Sequence, residues 1–184
     1  MKSEMLNVRL RRAGPDDAEM FNRLRNQPSS LRFQASPKRS ADEVRAMLAE
    51  QAAIEIGPEA VGKFYWVIEA NGKDCGMMQV DVSAGFRQQA SSTIGYTVDE
   101  PMQGRGIATA AVQEAIRIAF GDDGLGLERI EAVAAVENGG SRRVLEKAGF
   151  QFEGIRRGLL RIRGQRVHHA CYGVLKTDVA DGGM

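Results

Sequence analysis

The chain has 184 residues, 43% hydrophobic and 27% charged, which fits one globular domain with a sizeable core and excludes bulk disorder. Lys plus Arg number 25 and Asp plus Glu 24, a formal balance of +1. That balance gives no overall basic footprint for nucleic acid and no acidic tail. Cys75 and Cys171 form no C-x-x-C and read as reduced thiols rather than a disulfide framework. The N-terminal residues lack a signal-peptide pattern, and no window approaches the roughly 20 apolar residues of a membrane span. A cytoplasmic location is expected.

Val8 and Leu10 alternate with arginines and predict a short opening strand. Gly14-Pro15-Asp16-Asp17 predicts a helix start, and Ala18, Phe21 and Leu24 give that helix an apolar stripe to about Asn26. Pro28-Ser29-Ser30 and Ser36-Pro37 bracket a predicted mobile loop around Leu31, Arg32 and Phe33. Ser40 and Glu43 make a capping box for a second helix carrying Val44, Met47, Leu48 and Ile54. Phe64, Trp66 and Ile68 predict a strand, Asn71-Gly72 a tight hairpin, and Cys75 to Val82 the returning strand. The polar stretch from Gly85 to Ala90 predicts a loop.

Ile94, Tyr96 and Val98 then alternate as a strand, which Pro101 ends. Gln103-Gly104-Arg105-Gly106 follows, and two positions without side chains let backbone amides approach a ligand closely. Ala108, Ala111, Val112, Ala115, Ile118 and Ala119 recur at helical spacing, opposite Gln113, Glu114 and Arg117. A glycine loop opening a helix presents unpaired N–H groups and a partial positive charge, an anion cradle suited to a pyrophosphate. The cradle is not a P-loop, because Ile107 and Ala108 stand where Lys and Ser/Thr are needed. Nor is it the dinucleotide fingerprint, whose third glycine would fall at Thr109.

Beyond this helix, Asp122 and Asp123 read as a polar turn in preference to a metal site. Glu128 to Val136 predicts a strand, Asn138 to Gly149 a short helix, and Phe150 onward another strand. Arg163-Gly164-Gln165 turns into a final strand from Arg166 to Leu175, and the residues from Asp178 onward are expected to fray. The reading is a single domain over 1–184, with a core of about 7–176.

The residual pattern Q-x-x-G-x-A, from Gln103 through Gly106 to Ala108, resembles the pyrophosphate loop of the GNAT acetyltransferase superfamily. Asn138-x-x-Ser141, Leu145-Glu-Lys-Ala-Gly-Phe150, Glu153-Gly154, Gly164-Gln165, His169 and Tyr172 resemble its ribosomal-protein N-acetyltransferase (RimJ/RimL) branch. The resemblance implies an α/β (α+β) fold, a mixed and mostly antiparallel sheet flanked by about four helices and splayed beside the strand at Ser92 to Val98. It implies an acyltransferase with acetyl-CoA as co-substrate, an amine as acceptor (a protein N-terminus or a small molecule), and no metal, nucleic acid or membrane partner.

It also implies roles. Amides near Thr97 and Val98 would hold the pantetheine like an added strand, and Val98 would polarise the thioester carbonyl. Gln103 and the amides of Gly104, Arg105, Gly106, Ile107 and Ala108 would take the pyrophosphate. Asn138 would bond the pantetheine arm, and Ser141 would assist the leaving thiolate; helix capping is the alternative for both. The tyrosine acid found in many relatives is replaced by Leu145. Glu153 is the matching carboxylate base, with His168 or an ordered water as alternatives. Tyr65, Trp66 and Tyr96 are candidate walls of the acceptor site, and the late arginines 156, 157, 161, 163 and 166 read first as a solvated face. A non-catalytic acyl-CoA-binding module is the competing reading.

Overall fold

The structure, a computed structural model, describes residues 6–35 and 37–180. It opens with β1 (Val8–Arg12), a 3-10 turn (Pro15–Asp17), α1 (Ala18–Asn26), α2 (Pro28–Phe33) and α3 (Ala41–Ala52). Next come β2 (Gly62–Ala70), β3 (Lys73–Val82), α4 (Ala84–Gln88) and β4 (Ser91–Val98). A 3-10 turn (Glu100–Met102), α5 (Ile107–Phe120), β5 (Arg129–Ala135) and α6 (Gly139–Lys147) follow. The chain closes with β6 (Gln151–Ile162), β7 (Gln165–Leu175) and α7 (Lys176–Ala180). The seven strands lie in the order β1-β2-β3-β4-β5-β7-β6, and every neighbouring pair is antiparallel except β4–β5.

Both faces of the sheet centre are covered, which explains why Phe64 to Ile68 is buried throughout rather than at alternate positions. Phe64, Trp66 and Ile68 pack in the cluster that holds Ala111, Val112, Ala115 and Ile116 of α5. Tyr65 and Val67 face the other way, onto Phe21 and Leu24 of α1 and Val44 and Leu48 of α3. Ile107 and Ile116 are the fully buried isoleucines of α5, and the expected Ile118 is partly buried against the same cluster. Both hairpin turns have two consecutive positive φ values, 49° and 75° at Asn71-Gly72 and 49° and 82° at Arg163-Gly164. That is the type I′ geometry the right-handed strand twist favours.

Two expected loops are helical. Pro28 is the first residue of α2, where its missing N–H costs nothing, and the Ser30 hydroxyl donates to Leu24 O at 2.7 Å, fastening α2 to α1. In α4, Arg87 donates to Ala60 O and Leu125 O and ties the segment between two loops. At the other end Asp178 sits in α7, its carboxylate accepting from Leu175 N at 2.9 Å, so the expected fraying does not begin there; residues 181–184 lie outside the described residues.

What positions the site is the junction between β4 and β5. Only Ser91–Thr93 pair with Arg129–Glu131, and beyond Thr93 the two strands part. The apex is closed by Ala90, whose carbonyl accepts from Glu128 N (2.7 Å) and Arg129 N (3.2 Å). Among the described residues no helix is long and apolar enough to cross a membrane.

Candidate active site

The parted strands leave a free β4 edge. Asp99 N donates to Cys75 O at 2.8 Å, so the alternation of an antiparallel ladder turns the main-chain groups of Thr97 toward β3. Those of Tyr96 and Val98 turn into the gap. Three glutamines stitch this edge from outside the sheet. Gln34 Nε2 approaches Tyr96 O (3.4 Å) and Thr97 Oγ1 (2.9 Å), while Gln27 Nε2 and Gln103 Nε2 both donate to Val98 O, at 3.0 and 2.9 Å. Carbonyls on an unpaired edge need such partners, whereas the Val98 N–H points the same way with no strand beside it.

Beside this edge the glycine loop enters α5. Gly104 and Gly106 have φ of 76° and 81°, a left-handed conformation that glycine adopts without strain. Gly106 is the N-cap residue of α5 and has no side chain to cap it, so the amides of the first turn remain free to bind an anion. Arg105 donates back to Pro101 O at 3.1 Å, Ile107 is buried in the core, and Ala108 lines the cavity described below. Gln103 is spent on Val98 O, so it braces the loop against β4.

On the opposite wall, Asn138 caps α6 by accepting from Ser141 N at 3.1 Å. The cap uses Oδ1 only, and the two side-chain N–H donors take no part in it. Ser141 Oγ lies 2.9 Å from the Tyr96 hydroxyl, which also approaches Ser141 O at 3.2 Å. Burial pushes the Tyr96 phenol up to about 12, against the opposing pull of its bond to Ser141. Leu145 is buried core, so a tyrosine hydroxyl reaches Ser141 from β4 instead of from α6. Tyr172 anchors α6 to β7 by donating to Glu146 Oε1 and accepting from Arg142 Nε.

The candidate bases part company. Glu153 is not brought to the cavity: it accepts a two-pronged bond from Arg129, at 2.8 and 2.6 Å, on the flank where Arg129 also meets Glu131. The Arg129 guanidinium holds the Glu153 carboxyl below its usual range, which suits an ion pair and works against a base. His168 is exposed and its Nδ1 accepts from Gly158 N at 2.8 Å. His169, one residue on and turned to the other side of β7, is buried and lines the cavity. Its Nδ1 faces Val167 O at 3.0 Å; a carbonyl can only accept, so Nδ1 carries the hydrogen and, in the neutral ring, Nε2 keeps its lone pair. The sequence placed His169 in the hairpin pattern without giving it a chemical role, and adjacent histidines on a strand gave no sign of which one faces inward.

The β4 edge from Tyr96 to Val98, the loop residues Gln103, Gly104 and Gly106, and Asn138, Ser141 and His169 all open on one cavity of about 840 Å³ at the gap in the sheet, whereas Arg105, Glu153, His168 and Tyr172 do not line it. Ala132, Ala134, Val144 and Leu145 line it on the α5–α6 side; Tyr65, Met77, Gln79 and Gly95 line it on the α1–α3 side. Tyr65 and Tyr96 are walls, as is Phe33, over whose ring Arg32 lies at 4.8 Å. Trp66 lies in the core on the α5 side and does not line it. The late arginines from 156 to 166 are exposed and also lie off the cavity. Asp122 pairs with Lys176 at 3.4 Å in a surface turn, and Cys75 and Cys171 are not joined. Among the described residues no group of three or more His, Cys, Asp or Glu side chains is placed to hold a metal.

Comparison with known proteins shows the family. The chain is 45% identical over 85 residues to "Probable N-acetyltransferase YjcK" of Bacillus subtilis, 46% of each chain. It is 35% identical over 108 residues to "Putative ribosomal N-acetyltransferase YdaF" of the same organism, covering 59% of this chain and 57% of that one. The matches thus span about half the length of these relatives. Mycobacterium smegmatis RimJ, solved in complex with a CoA-disulfide, superposes with a TM-score of 0.77 at 24% identity, covering 94% of this chain and 83% of its own. Residues 7–151 match the model of the acetyltransferase (GNAT) domain. The chain belongs to the GNAT acetyltransferase family.

Proposed function

We propose that the protein transfers an acetyl group from acetyl-CoA to a primary amine by direct attack in a ternary complex. One observation carries this reading: the free β4 edge, the uncapped α5 N-terminus, Ser141 and His169 converge on a single through-sheet cavity. The edge amides of Tyr96 and Val98 suit an extended pantetheine arm, which adds to the sheet as a strand would. The amides from Gly104 through Ala108 suit the pyrophosphate, with Arg143 and Lys147 of α6 adding positive charge at the same cavity. Asn138 offers its N–H donors to the arm. The CoA-disulfide held by RimJ supports the choice of donor, and a ribosomal N-acetyltransferase name among the relatives supports an amine acceptor. A cytoplasmic setting goes with this chemistry.

The steps follow from the groups present. The acceptor ammonium gives a proton to His169 Nε2, directly or through one water, and its nitrogen attacks the thioester carbonyl carbon. The oxyanion of the tetrahedral intermediate accepts from Val98 N–H. The C–S bond then breaks, and the departing thiolate takes the Ser141 hydroxyl proton, which the Tyr96 hydroxyl replaces across their 2.9 Å bond. The nitrogen's second proton leaves to solvent, and the proton on His169 returns through water to Tyr96, giving an amide and free CoA with every side chain in its starting state. The competing reading, an acyl-CoA-binding module without turnover, is favoured by one feature: no carboxylate lines the cavity among the described residues.

CoA-thiol release by the purified protein, measured with peptides, amino acids and polyamines, separates the two. Release that depends on one acceptor, with the acetylated product seen by mass, supports transfer. Tight acetyl-CoA binding with no release from any acceptor overturns it.

A further inference from the structure

The acceptor half of the cavity has an unusual charge character. On the α1–α3 side it is lined by Arg25, Arg39 and Lys63, and by no Asp or Glu among the described residues. Lys63 is offset by Asp81, its cross-strand partner, at 3.2 Å. Arg39 stands exposed at the mouth, where its guanidinium meets the Met47 sulfur and its charge acts on the Glu43 carboxylate. Arg25 is the informative residue. Its Nε is buried and has no hydrogen-bond partner among the described residues, whereas Arg23, two residues back on α1, points outward and pairs with Asp99 at 2.8 Å.

Arg25 follows Phe21 by four residues and so emerges on the same face of α1, one turn along. Phe21 packs edge-on against Tyr65 with ring centroids 6.1 Å apart, and Arg25 lines the same cavity as Tyr65, Gln79 and Gly95. Those three residues lie in one row across the sheet, Tyr65 opposite Gln79 and Gln79 opposite Gly95. Gly95 leaves open space there, since a Cβ built on it would meet nothing within 4 Å. A guanidinium that lines an open cavity and has no hydrogen-bond or ion-pair partner among the described residues calls for an acceptor, and a carboxylate is its best geometric match.

We propose that the acceptor is an amine that carries a carboxylate, bound with that carboxylate on Arg25 and its nitrogen directed toward the gap beside His169. The inference rests on the acetyl-transfer reading for its geometry and narrows the acceptor class. A polyamine is disfavoured, because its cations would meet Arg25 and Arg39 while no carboxylate among the described residues lines the cavity to receive them. Two sources offer the chemistry: a free amino acid, or a peptide N-terminus followed by Asp or Glu.

The test compares L-glutamate with its diamide, a peptide amide with Glu at its second position with the Gln version, and spermidine, in CoA-thiol release. Each carboxylate amine is expected to exceed its neutral counterpart in kcat/KM by about tenfold or more, the worth of a charged hydrogen bond. Preference confined to L-glutamate, or to the Glu peptide, names the source. Arg25→Gln should erase the preference and leave acetyl-CoA affinity unchanged; Arg39→Gln, at the exposed mouth, gives a second variant that does not endanger folding. Equal use of acid and amide, or preference for spermidine, overturns the proposal while acetyl transfer stands. If no acceptor releases thiol, calorimetry on the CoA-loaded protein decides. Binding of a carboxylate amine but not its amide keeps the acceptor class and removes the transfer reading, and binding of neither overturns the acceptor class.

Discussion

The Tyr96 hydroxyl sits 2.9 Å from Ser141 Oγ, joining the free edge of β4 to the first turn of α6 across the cavity. A serine alone is a poor acid, but one whose proton is replaced from a phenol can serve a departing thiolate. Tyr96→Phe should therefore lower kcat by about 10 to 100-fold with little change in acetyl-CoA affinity, a share typical of acid catalysis. Steady-state kinetics beside calorimetry reads both.

The same phenol makes a stability prediction. Its folded value near 12 lies above the ordinary 10.0, so its neutral form is favoured by the fold. Below 10.0 both folded and unfolded chains are protonated and nothing is lost. As pH rises from 10.0 toward 12 the unfolded chain ionises first and stability falls. Thermal melts across that window should fall more steeply for the parent than for Tyr96→Phe.

His169→Gln keeps a side chain of similar reach without the basic nitrogen. A loss in kcat of about 100-fold is expected, within the range for a removed general base. Unchanged kcat would assign proton removal to water alone.

Glu153→Gln makes the opposite case. It should leave turnover unaltered and cost less than about 1 kcal/mol, since the pair with Arg129 is largely open to solvent and screened. Because the carboxyl is held below its ordinary range, that contribution is present at neutral pH and vanishes as acid protonates Glu153. Denaturant melts at neutral and acid pH check the sign.

Two glycines divide the cavity. Gly106→Trp forces a bulky side chain onto a left-handed backbone at the α5 cap and should abolish acetyl-CoA binding. Gly95→Leu meets no neighbour at its Cβ and should fill the acceptor half, removing transfer while acetyl-CoA still binds. Calorimetry and thiol release on both variants distinguish the halves.

The anion cradle was legible in the sequence because its signals are local: two glycines, a proline that ends a strand, and a helical stripe within about one turn of each other. The hairpin turns were legible for the same reason. Glu153 was not, because the residue that captures it, Arg129, lies on another strand brought alongside only by the order β5-β7-β6. His169 could not be told from His168, since the inward phase of β7 is set by its pairing of Ala135 with His169. The Tyr96–Ser141 contact spans 45 positions in the chain and has no sequence signature. α2 is not legible in the sequence because proline followed by serines begins helices as readily as it marks loops.

The parting of β4 from β5 also writes a pattern into the hydrogens of a single strand. Thr97 and Asp99 give their amide hydrogens to β3 and should exchange slowly with deuterium, whereas Tyr96 and Val98 face the gap and should exchange fast. Neighbouring residues in one strand would thus differ in protection with a period of two. A pantetheine arm lying along the edge would slow the fast set and leave the slow set as it was, so the strand itself reports whether the gap is filled.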